Sequence, residues 1–479
     1  MKLPISDGVP QRLEQYLDAL GQHLWDSRQR ASFAMYVLGL LSERPRKNVE
    51  SISSLFATEP AETDAVYQRL VHFLGAAPWP DDAVRLSAVR FALADLTRTV
   101  PLLSLIIDDT SFPKSGTNSV GVQRQYCGAL GKVANCQVVV SLTAATERTH
   151  LPIDMQPYLP QTWTDSETRR KQAHIPPEVT FQTKPDIALS LLARAKENGV
   201  ASGVVLADAA YGDSADFREG VRRLRLHYAV GIQLNTQVQL LRNPDQIVSV
   251  TALLARVKAR PFRRYAWREG TKKTLDARFA FFPVHMPKSD RAEPLWLIIE
   301  RRDGAAERDR AYLCSLPART PKKRLIYVLK ERWCTEAVYQ ESKQQLGLDQ
   351  YQGRLYPGLQ HHLSAVICTY AFIVAERERN CPDGNPRAAP MQRTARIPQR
   401  HAPYSIATLR KELAFAITPW FVAWRPDPPP RRAAPQTQPL SAQLADGTGG
   451  WPGRPGRFPT RGLPQIRTCG IAASGSSGH

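Results

Sequence analysis

The sequence predicts a mixed α/β fold: a sheet with helices on both faces, preceded by a helical segment and interrupted by a mostly β insertion. Three observations predict it. Apolar residues recur at helical spacing through residues 1–97. β-branched and apolar runs then follow in the order β-β-β-α-β-α-β, the pattern of a mixed sheet. Between that region and a long charged helical stretch stand aromatic, alternating runs that read as strands.

Leu13, Tyr16, Leu17, Leu20 and Leu24 share one helical face, and Phe33, Tyr36, Val37, Leu40 and Leu41 share another. The basic stretch from Arg44 to Asn48 reads either as a charged turn in a small bundle or as a DNA contact through Arg44, Arg46 and Lys47. Residues 102–107 form an unbroken apolar run closed by Asp108-Asp109-Thr110; residues 136–142 and 150–159 give the next two strands. Residues 184–198 are helical through Ile187, Leu191 and Leu192, and residues 203–207 form a fourth strand ending at Asp208. Residues 216–226 read as a helix and 228–232 as a fifth strand. Residues 263–286 read as a hairpin turning at Glu269-Gly270-Thr271, with further strands at 296–300 and 311–315. Residues 322–345, free of Pro and Gly, and residues 363–378 are helical, with a last helix at 405–420. From residue 425 the chain is rich in Pro, Gly, Arg and Ser and is expected to be disordered. The chain therefore divides into a helical DNA-binding segment (1–97), a catalytic core in two parts (98–235 and 318–380), a β-rich insertion (236–317), a C-terminal helical segment (381–424) and a tail (425–479).

The 479 residues are 43% hydrophobic, enough to bury a core, and carry 64 Lys+Arg against 44 Asp+Glu, a formal charge of +20. Such an excess favours a polyanionic partner, nucleic acid first. It is shared between the body and the stretch from Cys381 onward, where 13 basic residues face four acidic ones. The longest apolar run, residues 365–375, is shorter than a membrane span, and the first ten residues lack a signal-peptide core. Seven scattered cysteines without a CxxC pair imply reduced thiols in a cytoplasmic protein and no zinc site. No GxxxxGK[ST] loop is present, so no nucleotide cofactor is expected.

Asp109, with Asp108 beside it, and Asp208 stand after apolar strands, where α/β folds place catalytic and metal-binding carboxylates. Singly, each is as well explained as a turn former or helix cap. Held together, they would repel unless a divalent cation neutralised them, and Mg²⁺ accepts both carboxylates and phosphate oxygens. A third carboxylate could come from Glu331, Glu336 or Glu341 on the charged helix. Arg332, Glu336 and Lys343 fall at i, i+4 and i+11, within about 40° of one helical face. The same spacing also suits an ordinary surface helix with an Arg–Glu pair.

Arg332-(3)-Glu336-(6)-Lys343 resembles the Tyr-(2)-Arg-(3)-Glu-(6)-Lys signature of DDE-type insertion-sequence transposases, with Leu329 at the Tyr position. The blocks Ile107–Thr110, Gly121-Val-Gln-Arg-Gln-Tyr-Cys-Gly128, Asn135-Cys-Gln137, Leu206-Ala-Asp-Ala-Ala-Tyr-Gly-Asp213 and Leu346-Gly-Leu-Asp349 also look like that family's, over roughly residues 30–420. The resemblance implies an RNase H-like core whose first and fourth strands are neighbours. It implies Asp109, Asp208 and Glu336 as catalytic, metal-holding residues, with Asp108 the alternative to Asp109. Arg332 and Lys343 would grip phosphates, and Lys114, Arg124, Arg46 and Lys47 are further DNA-binding candidates. Asp213 reads as a helix cap, and His361-His362 as structural or DNA-facing.

The 127 residues between Asp208 and Glu336 exceed one connection. By resemblance they match the β-rich insertion of the branch that excises DNA through hairpin ends, where an aromatic holds a flipped base. Trp267, Trp296 and Tyr312 are the candidates, each equally well read as strand core. The implied activity is binding of terminal inverted repeats, followed by strand cleavage and strand transfer with two Mg²⁺ ions, Mn²⁺ being the implied substitute. The implied partners are double-stranded DNA and a second copy in a synaptic homodimer, with no membrane, at the bacterial nucleoid. The alternatives are an inactive, transposase-derived repressor and an RNase H-like nuclease without a mobile element.

Overall fold

The computed structural model describes residues 8–423, apart from 58, 99–100, 148, 201–202, 258–260, 270–273, 288–293, 303–308 and 381–404. The tail from 425 and the turn at Gly270 lie outside the described residues. Five helices come first: α1 (Val9–Gly21), α2 (Ser27–Leu41), α3 (Val49–Phe56), α4 (Pro60–Gly75) and α5 (Asp81–Leu96). Asp26 and Asn48 cap α2 and α3 by accepting from the backbone N–H of Gln29 and Ser51.

The sheet begins with β1 (Ser104–Pro113), β2 (Gln123–Cys127), β3 (Lys132–Ala145) and β4 (His150–Tyr158). Helices α6 (Gln161–Thr164), α7 (Glu167–Ala173) and α8 (Lys184–Glu197) follow. Then come β5 (Val204–Ala207), α9 (Ala209–Gly212), α10 (Ala215–Arg223) and β6 (His227–Ile232). Strand order β4-β3-β1-β5-β6, with β1, β5 and β6 parallel and β3 antiparallel to both β1 and β4, is RNase H-like. Strand β2 and the short helices α6, α7 and α9 have weak sequence signals: each is four to seven residues long and mostly polar or mixed.

Residues 236–317 supply β7 (Gln237–Leu240), β8 (Asn243–Ser249), α11 (Val250–Arg256), β9 (Arg263–Glu269), β10 (Thr274–His285), β11 (Leu295–Arg301) and β12 (Arg310–Cys314). These strands extend the same sheet: β12 pairs antiparallel with β6, followed by β11, β10, β7 and β8, while β9 pairs with β10. Finally come α12 (Lys322–Lys330), α13 (Trp333–Leu346), α14 (Tyr356–Asn380) and α15 (Ile406–Ala423). The unbroken helix expected over 322–345 is interrupted at Glu331-Arg332. There, Glu331, Cys334 and Thr335 donate their N–H groups three residues back, tightening one turn before α13 begins.

The core has two faces. Leu105, Ile107, Val205 and Ala207 share a cluster with Ile187 and Leu191 of α8. Ile106, Leu206 and Ala229 join Leu325, Ile326 and Leu329 of α12 on the other side. Helix α14 is long and apolar enough to match a membrane span, but it is nearly all buried by protein. Tyr16 donates to the Cys368 carbonyl at 2.7 Å, Arg12 pairs with the fully buried Glu376 at 2.7 Å, and the Tyr36 hydroxyl meets His362 Nδ1 at 2.8 Å. The N-terminal helices are thus sealed onto α14.

Candidate active site

Strand β1 does not end at its acids. It continues along β3 to the Pro113–Cys136 pair, whereas its parallel pairing with β5 stops at Ile106–Leu206. Asp108 and Asp109 therefore lie just beyond the end of β5, beside Asp208. Successive strand residues face opposite sides, so the two neighbours part company. Asp108 stands across from Ser141 and Asp109 across from Val140. The Ser141 side is covered by α13, whose Tyr339 hydroxyl meets Ser141 Oγ at 2.6 Å.

Arg332, just before α13, joins the acids of that face. Its Nη1 lies 2.8 Å from Asp108 Oδ2 and its Nη2 3.3 Å from Glu336 Oε1. Burial pushes the Asp108 carboxyl up to about 7; Arg332 opposes this and the Asp208 charge adds to it. Burial works against the Arg332 charge, but Asp108, Glu336 and Asp208 together raise its pKa. Glu336 keeps 66% of its side chain exposed, open to a ligand. The other two acids offered by this region are spent elsewhere. Glu331 is buried, and Glu341 is bound by His150 at 3.1 Å and by Tyr370.

Asp109 faces α8. Lys184, the first residue of that helix, reaches its Oδ2 at 2.9 Å, and Tyr211 donates to Oδ1 at 3.2 Å. Asp208 caps α9 by accepting from the Ala210 N–H at 2.9 Å. A Cβ at Gly212 would collide with the Gly231 carbonyl, so glycine lets α9 close onto β6 and fixes Asp208 and Tyr211. Asp213 is not the cap of α10, a role taken by Ser214. Instead it accepts from Gln233 N at 3.1 Å and Thr236 Oγ1 at 2.9 Å, tying down the turn after β6.

Three carboxylates (Asp108, Asp109 and Glu336) thus meet two cations in direct ion pairs, Arg332 and Lys184, and Asp208 adds a fourth carboxylate beside them. The formal excess of two negative charges, on hard oxygen donors, suits a divalent cation in kind. Among the described residues no three His, Cys, Asp or Glu side chains converge on one metal-sized point. Arg332 sits between Asp108 and Glu336 where such a point would fall.

The remaining sequence candidates separate clearly. Lys343 Nζ rests 3.1 Å from the Ser111 carbonyl, two residues past Asp109, and Lys114 Nζ lies 2.6 Å from the Tyr351 carbonyl. Arg124 and Arg46 are exposed, and Arg46 lines a 230 Å³ cleft with Asn48, Gln350 and Gln352. The DNA contact expected of Lys47 is corrected: its ammonium is buried against the Ser42 carbonyl at 2.5 Å, and burial lowers its pKa to about 7. His361 and His362 are buried, bonded to the Leu74 carbonyl and to Tyr36, and take the structural alternative. Trp267 and Tyr312 flank the Lys330 ammonium, 4.6 and 5.9 Å from their ring centres, and Trp296 meets Phe281 edge-on at 6.3 Å. Lys330 in turn pairs at 2.5 Å with Glu300, which is fully buried. Lys184 and Tyr211 had no distinguishing signal at sequence level, apart from Tyr211 lying in the Asp208 block.

The sheet order places the chain in the broad class of RNase H-like folds. Within that class, the family model for DDE superfamily endonucleases matches residues 19–274, more than half of the chain, and the chain belongs to that family. The model for the transposase DDE domain matches residues 183–372. A relative described as a probable transposase for insertion sequence element IS701, from Microchaete diplosiphon, is 30% identical over 217 residues, 45% of this chain. The match covers about half of that relative's length, 52%.

Proposed function

We propose that this chain is the transposase of an insertion sequence, binding the element's terminal repeats and catalysing strand cleavage and strand transfer. The observation that carries the reading is the grouping of Asp108, Asp208 and Glu336 around Arg332, at the strand ends of a sheet of the RNase H type. On this reading Asp108, Asp208 and Glu336 would hold two Mg²⁺ ions, for which Mn²⁺ could substitute. When bound, these ions acidify the attacking water or 3′-hydroxyl and offset charge on the leaving oxygen. Arg332 swings from its carboxylates to a phosphate, a bidentate partner it fits equally well. Lys343 and Lys114 hold the strand further along. Tyr211 and Lys184 hold Asp109, and with it the strand that presents Asp108. Two copies working on paired ends would complete the synaptic complex.

The test uses the full-length protein and a linear duplex bearing both boundaries of the element that encodes it. Wild type nicks at the boundaries in Mg²⁺. Glu336→Gln shifts the same duplex in a gel yet leaves it intact. Undiminished cleavage by that variant removes Glu336 from the site. Boundary binding by wild type without cleavage replaces this reading with that of a DNA-binding repressor.

A further inference from the structure

The hairpin of β2 and β3 has two unlike faces. On the inner one, Cys127, Cys136 and Val138 are buried, packed against Ala134 and Tyr158. On the outer one, Tyr126 and Val133 stand directly opposite each other across the strands, with 66% and 52% of their surface exposed. Leu130 at the turn is 47% exposed. Three large apolar side chains so displayed on one short hairpin are costly in water and need a partner surface.

Charge indicates which partner. The hairpin carries Arg124 and Lys132, with Lys114 just before it, and the stretch from Thr110 to Thr146 contains no Asp or Glu. An aromatic ring flanked by an aliphatic pair, with Arg124 on the same face and no acid in the segment, matches the π-face and phosphates of a nucleic-acid strand. Position indicates where on that strand. The Ala129 N–H donates to Ser111 Oγ at 3.1 Å and the Cys127 thiol does so at 3.4 Å, while the Ser111 carbonyl receives Lys343. Ser111 is two residues from Asp109 on β1, so the hairpin is anchored to the strand that bears the site's acids.

We infer that this hairpin is a base-stacking platform. Tyr126 lies against the face of an unpaired or unstacked DNA base near the reacting phosphate, Val133 and Leu130 wedge beside it, and Arg124, on the same face of the hairpin, holds a flanking phosphate. The inference rests on the transposase reading above and deepens it. It assigns a role to the Gly121–Gly128 block, and it moves the stacking function away from Trp267 and Tyr312, whose rings are turned to Lys330.

The experiment compares the full chain with Tyr126→Ala and Tyr126→Phe on three probes of arbitrary sequence. These are a 30-base-pair duplex, the same duplex with one unpaired adenine, and the 30-nucleotide single strand. Fluorescence anisotropy gives affinity over a salt series. 2-Aminopurine at the unpaired position reports stacking. Tyr126→Ala is expected to lose about tenfold in affinity for the single strand and the unpaired duplex, and to lose the 2-aminopurine quenching. Its affinity for the perfect duplex and its salt slope stay as in wild type, and Tyr126→Phe behaves as wild type throughout. Arg124→Ala lowers the salt slope by about one ion on every probe. Equal binding of all three probes by Tyr126→Ala and wild type overturns the inference while leaving the transposase reading intact. So does a change in sedimentation state with unchanged affinity, which would make the hairpin a contact between copies. A wild-type chain that binds none of the probes overturns both.

Discussion

At the scale of single residues, adjacent acids divide the work of β1. Asp108 shares the α13 face with Arg332 and Glu336, and Asp109 is held from the α8 face by Lys184 and Tyr211. Asp108→Asn is therefore expected to reduce cleavage at least ~10³-fold, and Asp109→Asn to cost ~10-fold, as an electrostatic rather than a direct contribution. Single-turnover nicking by the two variants decides the ranking, and the reverse order would make Asp109 the ligand. The resemblance favours Asp109, with Asp108 the alternative, whereas the grouping with Arg332 and Glu336 favours Asp108; the sequence alone could not weigh them, because strand alternation acts only once pairing with β3 and β5 is set. Lys47 was illegible for a related reason. Exposed Arg44 and Arg46 surround it, and only packing against the distant turn at Gly347 and Gln350 encloses its stem. Burial lowers its pKa to about 7, so between pH 7 and its ordinary value the unfolded chain binds a proton that the folded chain releases. Stability attributable to Lys47 then rises with pH across that window, by at most about 1.4 kcal/mol per unit. Urea unfolding at pH 7 and pH 9 is expected to show this slope in wild type and a flatter one in Lys47→Met.

At the scale of elements, the break between α12 and α13 lets Arg332 leave the helix axis and reach Asp108. The end of α12 is held by an ion pair with the insertion strand β11: Lys330 to the fully buried Glu300, which also receives Tyr312 at 2.8 Å and Arg302 at 3.0 Å. Burial raises the Glu300 pKa, but Lys330, Tyr312 and Arg302 outweigh it and the net shift is downward. Removing that charge leaves Lys330 buried among aromatic rings with no counter-ion. Glu300→Gln is expected to cost about 3 kcal/mol of stability and to slow cleavage with little change in DNA affinity, since no phosphate-facing group is touched. A thermal melt with a nicking assay checks both, and a stable variant with normal cleavage would show that β11 does not hold α13 in place. Most strands were legible from their apolar runs. The placement of β12 beside β6 was not, because pairing partners 79 residues apart leave no local trace.

At the scale of the whole molecule, residues 1–97 read as a segment of their own, because their helical periodicity stops where the strand pattern starts. The structure gives these helices no separate core. Val9, Tyr16, Leu20, Phe33, Tyr36, Val84 and Val89 belong to the same apolar cluster as Leu363, Val366, Tyr370 and Ile373 of α14 and Leu105 and Val140 of the sheet. Burying a charge without its partner is costly, and Glu376 in α14, fully enclosed, relies on Arg12 in α1 and Arg379 in its own last turn. The helical segment and the RNase H-like sheet should therefore unfold together. A fragment of residues 1–97 is expected to show weak helicity by circular dichroism and no cooperative melt, because the face it would bury is supplied by residues 356–380. Over the full chain, near-ultraviolet signals from Trp79 in the helical segment and from Trp333 at the start of α13 should report a single transition at one temperature. Arg12→Ala should lower that temperature for both probes equally, by about 1 °C for each kcal/mol lost in a unit of this size. Two separate transitions, or a shift confined to the Trp79 signal, would mean that α14 does not couple the layers, and any end-binding contribution of the N-terminal helices would then have to reach the acids on β1 by another route.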